Sequence, residues 1–334
     1  VYESPASLPI VELSSIKLDL YRRDFTVNTL ALQLNSRHFG TLIDFFGAQK
    51  DIKEKTIRVL HSLSFVEDPT RVFRAIRFEK RFGFKIGKLT QQLIDNARRI
   101  DVFKGLSGRR LFNEIKLMLS EQHPVLCIAR MNEFELLPIL HPGLAFNSEV
   151  EDLFLRVDVV LNWYDLLYLE NGYEKWKVHL LALADPLNLV EFENLLKRFE
   201  VPKTVLNELL KAKSDGQDIP RRMPLRGEPT RGEIYRLLKP LGVESLLFLM
   251  ARTKRESLKK AVSTYFNRLK GMKLATQGKD LRRLGYPPGP LYGKILNALF
   301  MAKLNDELLT REDELEYLER VFPVAEQPAH RLSK

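Results

Sequence analysis

The sequence has 334 residues, a net charge of +10, 45% apolar and 29% charged residues, the balance of an ordinary globular protein with room for two or three domains. No run of eighteen apolar residues occurs, so no membrane span is expected, and no charged-then-apolar leader speaks for secretion. The single cysteine, Cys127, excludes an internal disulfide and any multi-cysteine zinc site, and the expected compartment is a reducing cytoplasm.

In chain order, Pro9–Leu13, Thr41–Phe46 and Thr56–Leu60 read as short strands. Asp24–Leu34 carries helical periodicity through Phe25, Leu30 and Leu34. From Asp68 onward the pattern is helical: Thr70–Phe82, Arg109–Leu119, Val150–Leu169, Leu187–Phe199, Val205–Lys213, Leu258–Leu269, Tyr292–Leu304 and Arg311–Val321. Breaks fall at Pro142-Gly143, Pro186, Pro202 and Tyr286–Pro290. Asp215–Pro229, rich in Pro, Gly and Arg, is the expected linker. An α/β segment feeding a long helical body is therefore expected, and the fold class is mainly α.

Charge is concentrated late. Between Ala251 and Arg283 stand eleven Lys/Arg against Glu256 and Asp280, a local charge of +9. Such a block suits a polyanion, because each phosphate contact releases counterions, or it forms a solvated helix face. The six histidines are scattered without metal-ligand spacing and read as structural or exposed.

Two earlier stretches carry candidate chemistry. Asp68-Pro69 is a good helix start, and Arg71, Arg74, Arg77 and Arg81 follow at helical spacing. Taken blandly, this is a cap and a solvated basic stripe. Taken functionally, Asp68 and Arg71 lie one turn apart, so an acceptor and a donor can meet one flat ligand edge. Adenine and cytosine offer an amino donor beside a ring acceptor; guanine and uracil offer the opposite, so the pair could select A and C without a template. The second stretch is Arg22-Arg23-Asp24-Phe25-Thr26 with Asn28. Two cations before a helix suit a triphosphate, and Asp24 and Asn28, four apart, suit a ribose. An N-cap with a polar face is the alternative.

The series Arg22-Arg23-Asp24-Phe25-Thr26, Asn28, Leu30-Ala31; Asp44-Phe45-Phe46-Gly47, Asp51-Ile52; Thr56-Ile57-Arg58-Val59-Leu60; Glu67-Asp68, Arg71, Arg74-Ala75, Arg77-Phe78 resembles the ordered motifs of class II tRNA nucleotidyltransferases, the family of CCA-adding and A-adding enzymes and bacterial poly(A) polymerases. Ser107–Lys116 resembles that family's neck helix, although the family often has Glu-Arg where Gly108-Arg109 stands, so no catalytic role is carried over. Gly278-Lys279-Asp280-Leu281, Leu284–Pro290, Gly293 and Ile295-Leu296 resemble its tail element. The likeness is strong to about residue 140, loose to about 270 and clear thereafter.

The resemblance implies a partial palm domain (1–62), a neck (63–140), a body (141–225) and an RNA-binding tail (226–334). It places Arg22, Arg23, Asp24 and Asn28 on the sugar and phosphate side of a nucleotide pocket and Asp68 and Arg71 at the base, with Arg74 a further nucleotide-binding candidate. The RNA-binding candidates are Lys259, Lys260, Lys279, Arg282 and Arg283. The implied reaction is template-independent addition of AMP, with CMP left open, from ATP or CTP to a tRNA 3′ end by the complete protein. Poly(A) addition to other RNAs and a non-catalytic RNA-binding module are the alternatives. The family holds Mg²⁺ on an Asp-x-Asp near a Gly-Gly-x-Val-Arg-Asp loop. Neither occurs here; both belong upstream of the stretch resembling Val1–Leu13, so the sequence reads as part of a longer product, with no catalytic or metal residue of its own and no activity alone.

Overall fold

The structure, a computed structural model, describes residues 15–170, 172–223 and 228–323. The expected strand Pro9–Leu13 lies outside the described residues. In chain order the first elements are α1 (Ile16–Tyr21), β1 (Ala31–Leu32), β2 (Leu42–Ile43), α2 (Ala48–Lys53), β3 (Thr56–Ile57), α3 (Ser64–Glu67), α4 (Thr70–Phe82) and β4 (Lys85–Ile86). Then follow α5 (Lys88–Arg99), α6 (Gly108–Leu119), α7 (Pro124–Glu133), α8 (Leu137–Leu140), α9 (Ser148–Asp165), α10 (Lys175–Leu183), α11 (Leu189–Arg198) and α12 (Lys203–Arg222). The last are α13 (Arg231–Leu238), α14 (Val243–Arg252), α15 (Glu256–Thr264), α16 (Gly278–Arg283), α17 (Pro290–Leu304) and α18 (Arg311–Val321). The fold is mainly α. Two compact units divide it: Val1–Ser214 with Val243–Arg252, and Asp215–Gly242 with Thr253–Lys334.

The helix expected over Asp24–Leu34 does not form. Arg22 and Arg23 follow the C-terminal end of α1 rather than open a helix, and Phe25 is extended and bridges Val59. The Thr26 N–H donates to Arg58 O at 2.9 Å, a single 3-10 turn spans Thr26–Asn28, and β1 pairs antiparallel with β2, Ala31 opposite Ile43. Partners some ten to thirty residues away thus take the backbone groups that a helix would have used. The Thr41–Phe46 run shortens to Leu42–Ile43 because Asp44 caps α2, accepting from Ala48 N at 2.9 Å and Gln49 N at 3.0 Å. Buried Asp51 accepts from Thr26 Oγ1 at 2.6 Å and pairs with Arg58 at 3.3 Å, which ties the Arg22–Asn28 segment down.

Helix α4 has the predicted bounds. Asp68 Oδ1 accepts from Thr70 N at 3.0 Å and Thr70 Oγ1 at 2.6 Å, and Gly83 ends the helix with φ 64°, a conformation that disfavours side chains. Its basic stripe is not a uniformly solvated face, although Arg81 at its end is exposed. Arg71 and Arg77 are only 4% and 5% exposed, and Glu79 is buried as well. Buried charge must be paired. Arg77 meets Glu114 at 3.5 Å and Glu121 at 3.6 Å, while Glu79 accepts from Arg130 Nε at 2.9 Å and from Ile86 N at 3.0 Å. The last bond seats β4, which pairs parallel with β3 and interrupts the expected unbroken helical run.

Helix α6 starts at Ser107, whose Oγ accepts from Arg110 N at 3.3 Å. Gly108 lies against the end of α11: a Cβ built there would stand 1.7 Å from Arg198 O. Helices α9, α10 and α14 close the first unit's core around Phe154, Val157, Leu161, Leu180 and Leu247. Buried His179 faces Asp158 through Nε2 at 3.1 Å, and buried Lys213 donates to Ala184 O at 2.7 Å, closing the end of α10.

The linker expected over Asp215–Pro229 is also overturned as far as it is described. Helix α12 runs on to Arg222 with Pro220 inside it. Leu209, Ala212, Ile219 and Met223 are buried at three- and four-residue steps or their multiples. That apolar stripe outweighs the weak propensities of Gly216 and Pro220. In the second unit, Leu281, Tyr286, Ile295, Leu299 and Leu318 form one core. The Tyr286–Pro290 turn is a helix connector anchored there, the Tyr286 hydroxyl donating to Phe322 O at 2.7 Å. Among the described residues no helix is long and apolar enough to cross a membrane.

Candidate functional site

A cleft of about 390 Å³ in the first unit is lined by Arg23, Asp24, Asn28, Asp68, Arg71 and Arg74. Six of the seven residues expected at a nucleotide pocket therefore meet, although three come from the segment near residue 25 and three from the cap and first turns of α4. Arg22 is the exception. Its exposed side chain pairs with Asp19, Nε donating at 2.8 Å, and only its carbonyl serves the cleft, accepting from Arg71 at 2.8 Å.

The groups are fixed by one another. Arg23 donates to Asn28 O at 3.1 Å. Asp24 Oδ1 accepts from Phe25 N at 2.9 Å and Asn28 Nδ2 at 2.8 Å, and Oδ2 accepts from Arg74 Nε at 2.8 Å. Burial pushes the Asp24 carboxyl upward, but the Asn28 hydrogen bond and the Arg74 guanidinium outweigh it and hold the group below the usual carboxylate range. Burial works against the Arg74 cation too, and Asp24 and then Glu114 more than restore it. Arg71 donates to Ser64 Oγ at 2.8 Å as well as to Arg22 O. Each terminal guanidinium nitrogen carries two N–H groups, so these bonds orient Arg71 without exhausting it.

Two residues escaped the sequence reading. Arg110 lies 2.8 Å from Asp68 Oδ1, and Glu114, one turn later on α6, reaches both Arg74 and Arg77 at 3.5 Å. The usable signal was their spacing of four inside a recognised neck element, which puts both on one helix face. They act through Asp68 and Arg74, as positioning groups.

The cleft offers fixed donors beside fixed acceptors, suited to an anionic, hydrogen-bonding ligand. Its carboxylates do not fit a divalent cation, since Asp24 is paired with Arg74 and Asp68 with Arg110. Among the described residues no cluster of three His, Cys, Asp or Glu could hold a metal. The RNA-binding candidates fall on two helices of the second unit. Lys259 and Lys260 on α15 pair with Glu256 at 2.7 Å and Glu228 at 3.0 Å; Lys279, Arg282 and Arg283 lie on α16.

Residues 2–58 match the poly A polymerase head domain, and residues 83–147 match the probable RNA and SrmB-binding site of polymerase A. The A-adding tRNA nucleotidyltransferase of Geobacter sulfurreducens is 46% identical over 318 residues, covering 94% of this chain and 36% of that protein. A CCA-adding enzyme solved as apo form II is 32% identical with TM-score 0.76, covering 96% of this chain and 74% of that one. A Thermotoga maritima CCA-adding enzyme complexed with tRNA is 30% identical with TM-score 0.69, covering 93% and 73%. Complexes of CCA-adding enzymes with CTP and with ATP match at 30% identity, with TM-scores of 0.71 and 0.67. The chain spans about a third of the length of the first curated relatives it matches. Sequence likeness along nearly the whole chain, joined to a shared fold over three quarters of a solved enzyme, establishes that this chain belongs to the tRNA nucleotidyltransferase family.

Proposed function

We propose that the cleft binds a nucleoside triphosphate and that the complete protein uses it to add AMP to tRNA 3′ ends without a template. The observation that carries this reading is the convergence of Asp68 and Arg71 with Arg23, Asp24, Asn28 and Arg74 on one cleft. In this reading Asp68 accepts from the exocyclic amine of adenine or cytosine and Arg71 donates to the adjacent ring nitrogen. Guanine and uracil would set a carbonyl against Asp68 and an N–H against Arg71. Such mismatched buried polar groups carry a penalty of about 1–3 kcal/mol each. Arg23 meets phosphate, and Asn28 with Asp24 orients the sugar. The RNA 3′-hydroxyl attacks the α-phosphorus and pyrophosphate leaves.

The proposed division into partial palm, neck, body and tail follows the same reading. Mg²⁺ would neutralise the triphosphate and activate the hydroxyl. The cleft's own carboxylates are committed to arginines, so its ligands are expected from polypeptide outside these 334 residues. The chain alone is accordingly proposed to bind nucleotide without incorporating it.

Calorimetric titration of the chain with ATP, CTP, GTP and UTP tests the site. ATP should bind and GTP and UTP should not, and Asp68→Asn should erode that preference; equal binding of all four would sink the proposal. Complete protein supplied with transcripts ending at the discriminator, after C and after CC then separates A-adding, CCA-adding and poly(A) activity.

A further inference from the structure

The second unit contains a cavity of about 460 Å³ that none of the sequence motifs singled out. Helix α13 forms one wall. The other is α15 with the π-helical turn Tyr265–Leu269 that continues it, closed by the i+5 bond from Lys270 N to Tyr265 O at 2.8 Å. Wide turns of this kind recur at functional sites. Arg231, Lys260, Asn267 and Arg268 line the cavity, and Ile234 and Ala261, both buried, give it an apolar floor.

Three cations face it against one carboxylate, Glu228, which holds Lys260 at 3.0 Å. Arg231 is held by Asp306, outside the lining. Glu228 is 85% exposed and Asp306 49%, so these are solvent-screened pairs that an arriving phosphate can displace at little cost. The wall behind them is rigid. Buried Tyr265 packs on Tyr235 at 6.1 Å, Tyr235 packs on Phe300 at 5.0 Å, and Gly232 N donates to Asn305 Oδ1 at 2.9 Å. A cationic rim above an apolar floor, with an amide side chain between, matches one nucleotide: phosphate on the guanidinium, base or sugar on the floor.

We propose that this cavity is a tRNA contact that seats a single nucleotide, its phosphate between Lys260 and Arg268 and its base or sugar against Ile234 and Ala261. The assignment of tRNA as the partner rests on the function proposed above. The site adds Arg231, Asn267 and Arg268 to the contacts expected from sequence, and of the earlier candidates only Lys260 lines it.

Filter binding of a tRNA transcript to the chain, from about 50 to 200 mM salt, tests it. The Lys260→Ala/Arg268→Ala variant should bind roughly tenfold more weakly, with a salt slope shallower by about 1–2. Arg268→Lys, which keeps the charge, should retain most of the slope, and melting curves check that each variant is folded. Unchanged affinity and slope against a wild type that binds would overturn the subsite and leave the proposed function standing. A wild type that fails to bind tRNA would remove the RNA reading and the subsite with it. Calorimetry with AMP covers the remaining source of the same chemistry: AMP binding abolished by Arg268→Ala, with tRNA binding intact, would make this a small-molecule site and overturn the proposal.

Discussion

Cations do opposite work in the first unit's cleft and in the second unit's basic block. At the α4 side of the first unit's cleft the cations are tied: Arg71 and Arg77 are almost wholly buried, and Arg74 is locked between Asp24 and Glu114. In the second unit, Lys260 is 72% exposed and its partner Glu228 is more exposed still. Buried pairs hold geometry, because separating them leaves a charge in low dielectric, whereas exposed cations give salt-dependent attraction and little structure. On the proposed reading the cleft discriminates and the basic block attracts.

The contrast can be broken at its strongest point first. Glu79→Ala should destabilise the first unit by about 3 kcal/mol, since it removes the more buried of Arg130's two carboxylate partners and the acceptor that seats β4. Chemical denaturation would measure this, and a loss below 1 kcal/mol would mean these buried charges are not what holds the helices together.

Next is Lys213, whose ammonium burial pulls down to about 8 although Asp185 pushes it back up. The unfolded chain binds this proton between pH 8 and 10.5 and the folded chain does not, so stability rises with pH across that window, by at most about 1.4 kcal/mol per pH unit. Lys213→Met should flatten the slope; a slope that persists would assign it to another group.

Gly108→Ala asks the same question of the backbone. Its methyl would meet Arg198 O at 1.7 Å, so α6 or the end of α11 must move, at about 1–3 kcal/mol. A thermal melt matching wild type would show that this contact yields freely. The smallest effect is expected at Lys197→Ala, which removes an exposed i,i+4 pair with Glu193 and should change stability by no more than about 0.5 kcal/mol.

Local signals were legible and distant ones were not. Helix α4 could be bounded from Asp68 and Gly83 because cap and stop lie within a turn of the residues they serve. Both cleft segments were legible because each motif is contiguous; that they share one cleft rested on the family resemblance. The burial of Arg71, Arg77 and Glu79 left no local hint, because Glu114, Glu121 and Arg130 lie some forty to fifty residues away. The false helix at Asp24–Leu34 has the same cause, its backbone partners being Arg58, Val59, Leu42 and Ile43. At Gly216 and Pro220 the local signal was real but was outweighed by the apolar stripe of α12.

Gly108 has a consequence beyond its own stability. With no side chain as a spacer, the helix that presents Arg110 and Glu114 rests directly on the carbonyl of Arg198. Remodelling the end of α11 would therefore re-aim the guanidinium that steers Asp68. On the function proposed above, substitutions some 130 residues downstream of Asp68 would retune the choice of base without touching a bound nucleotide.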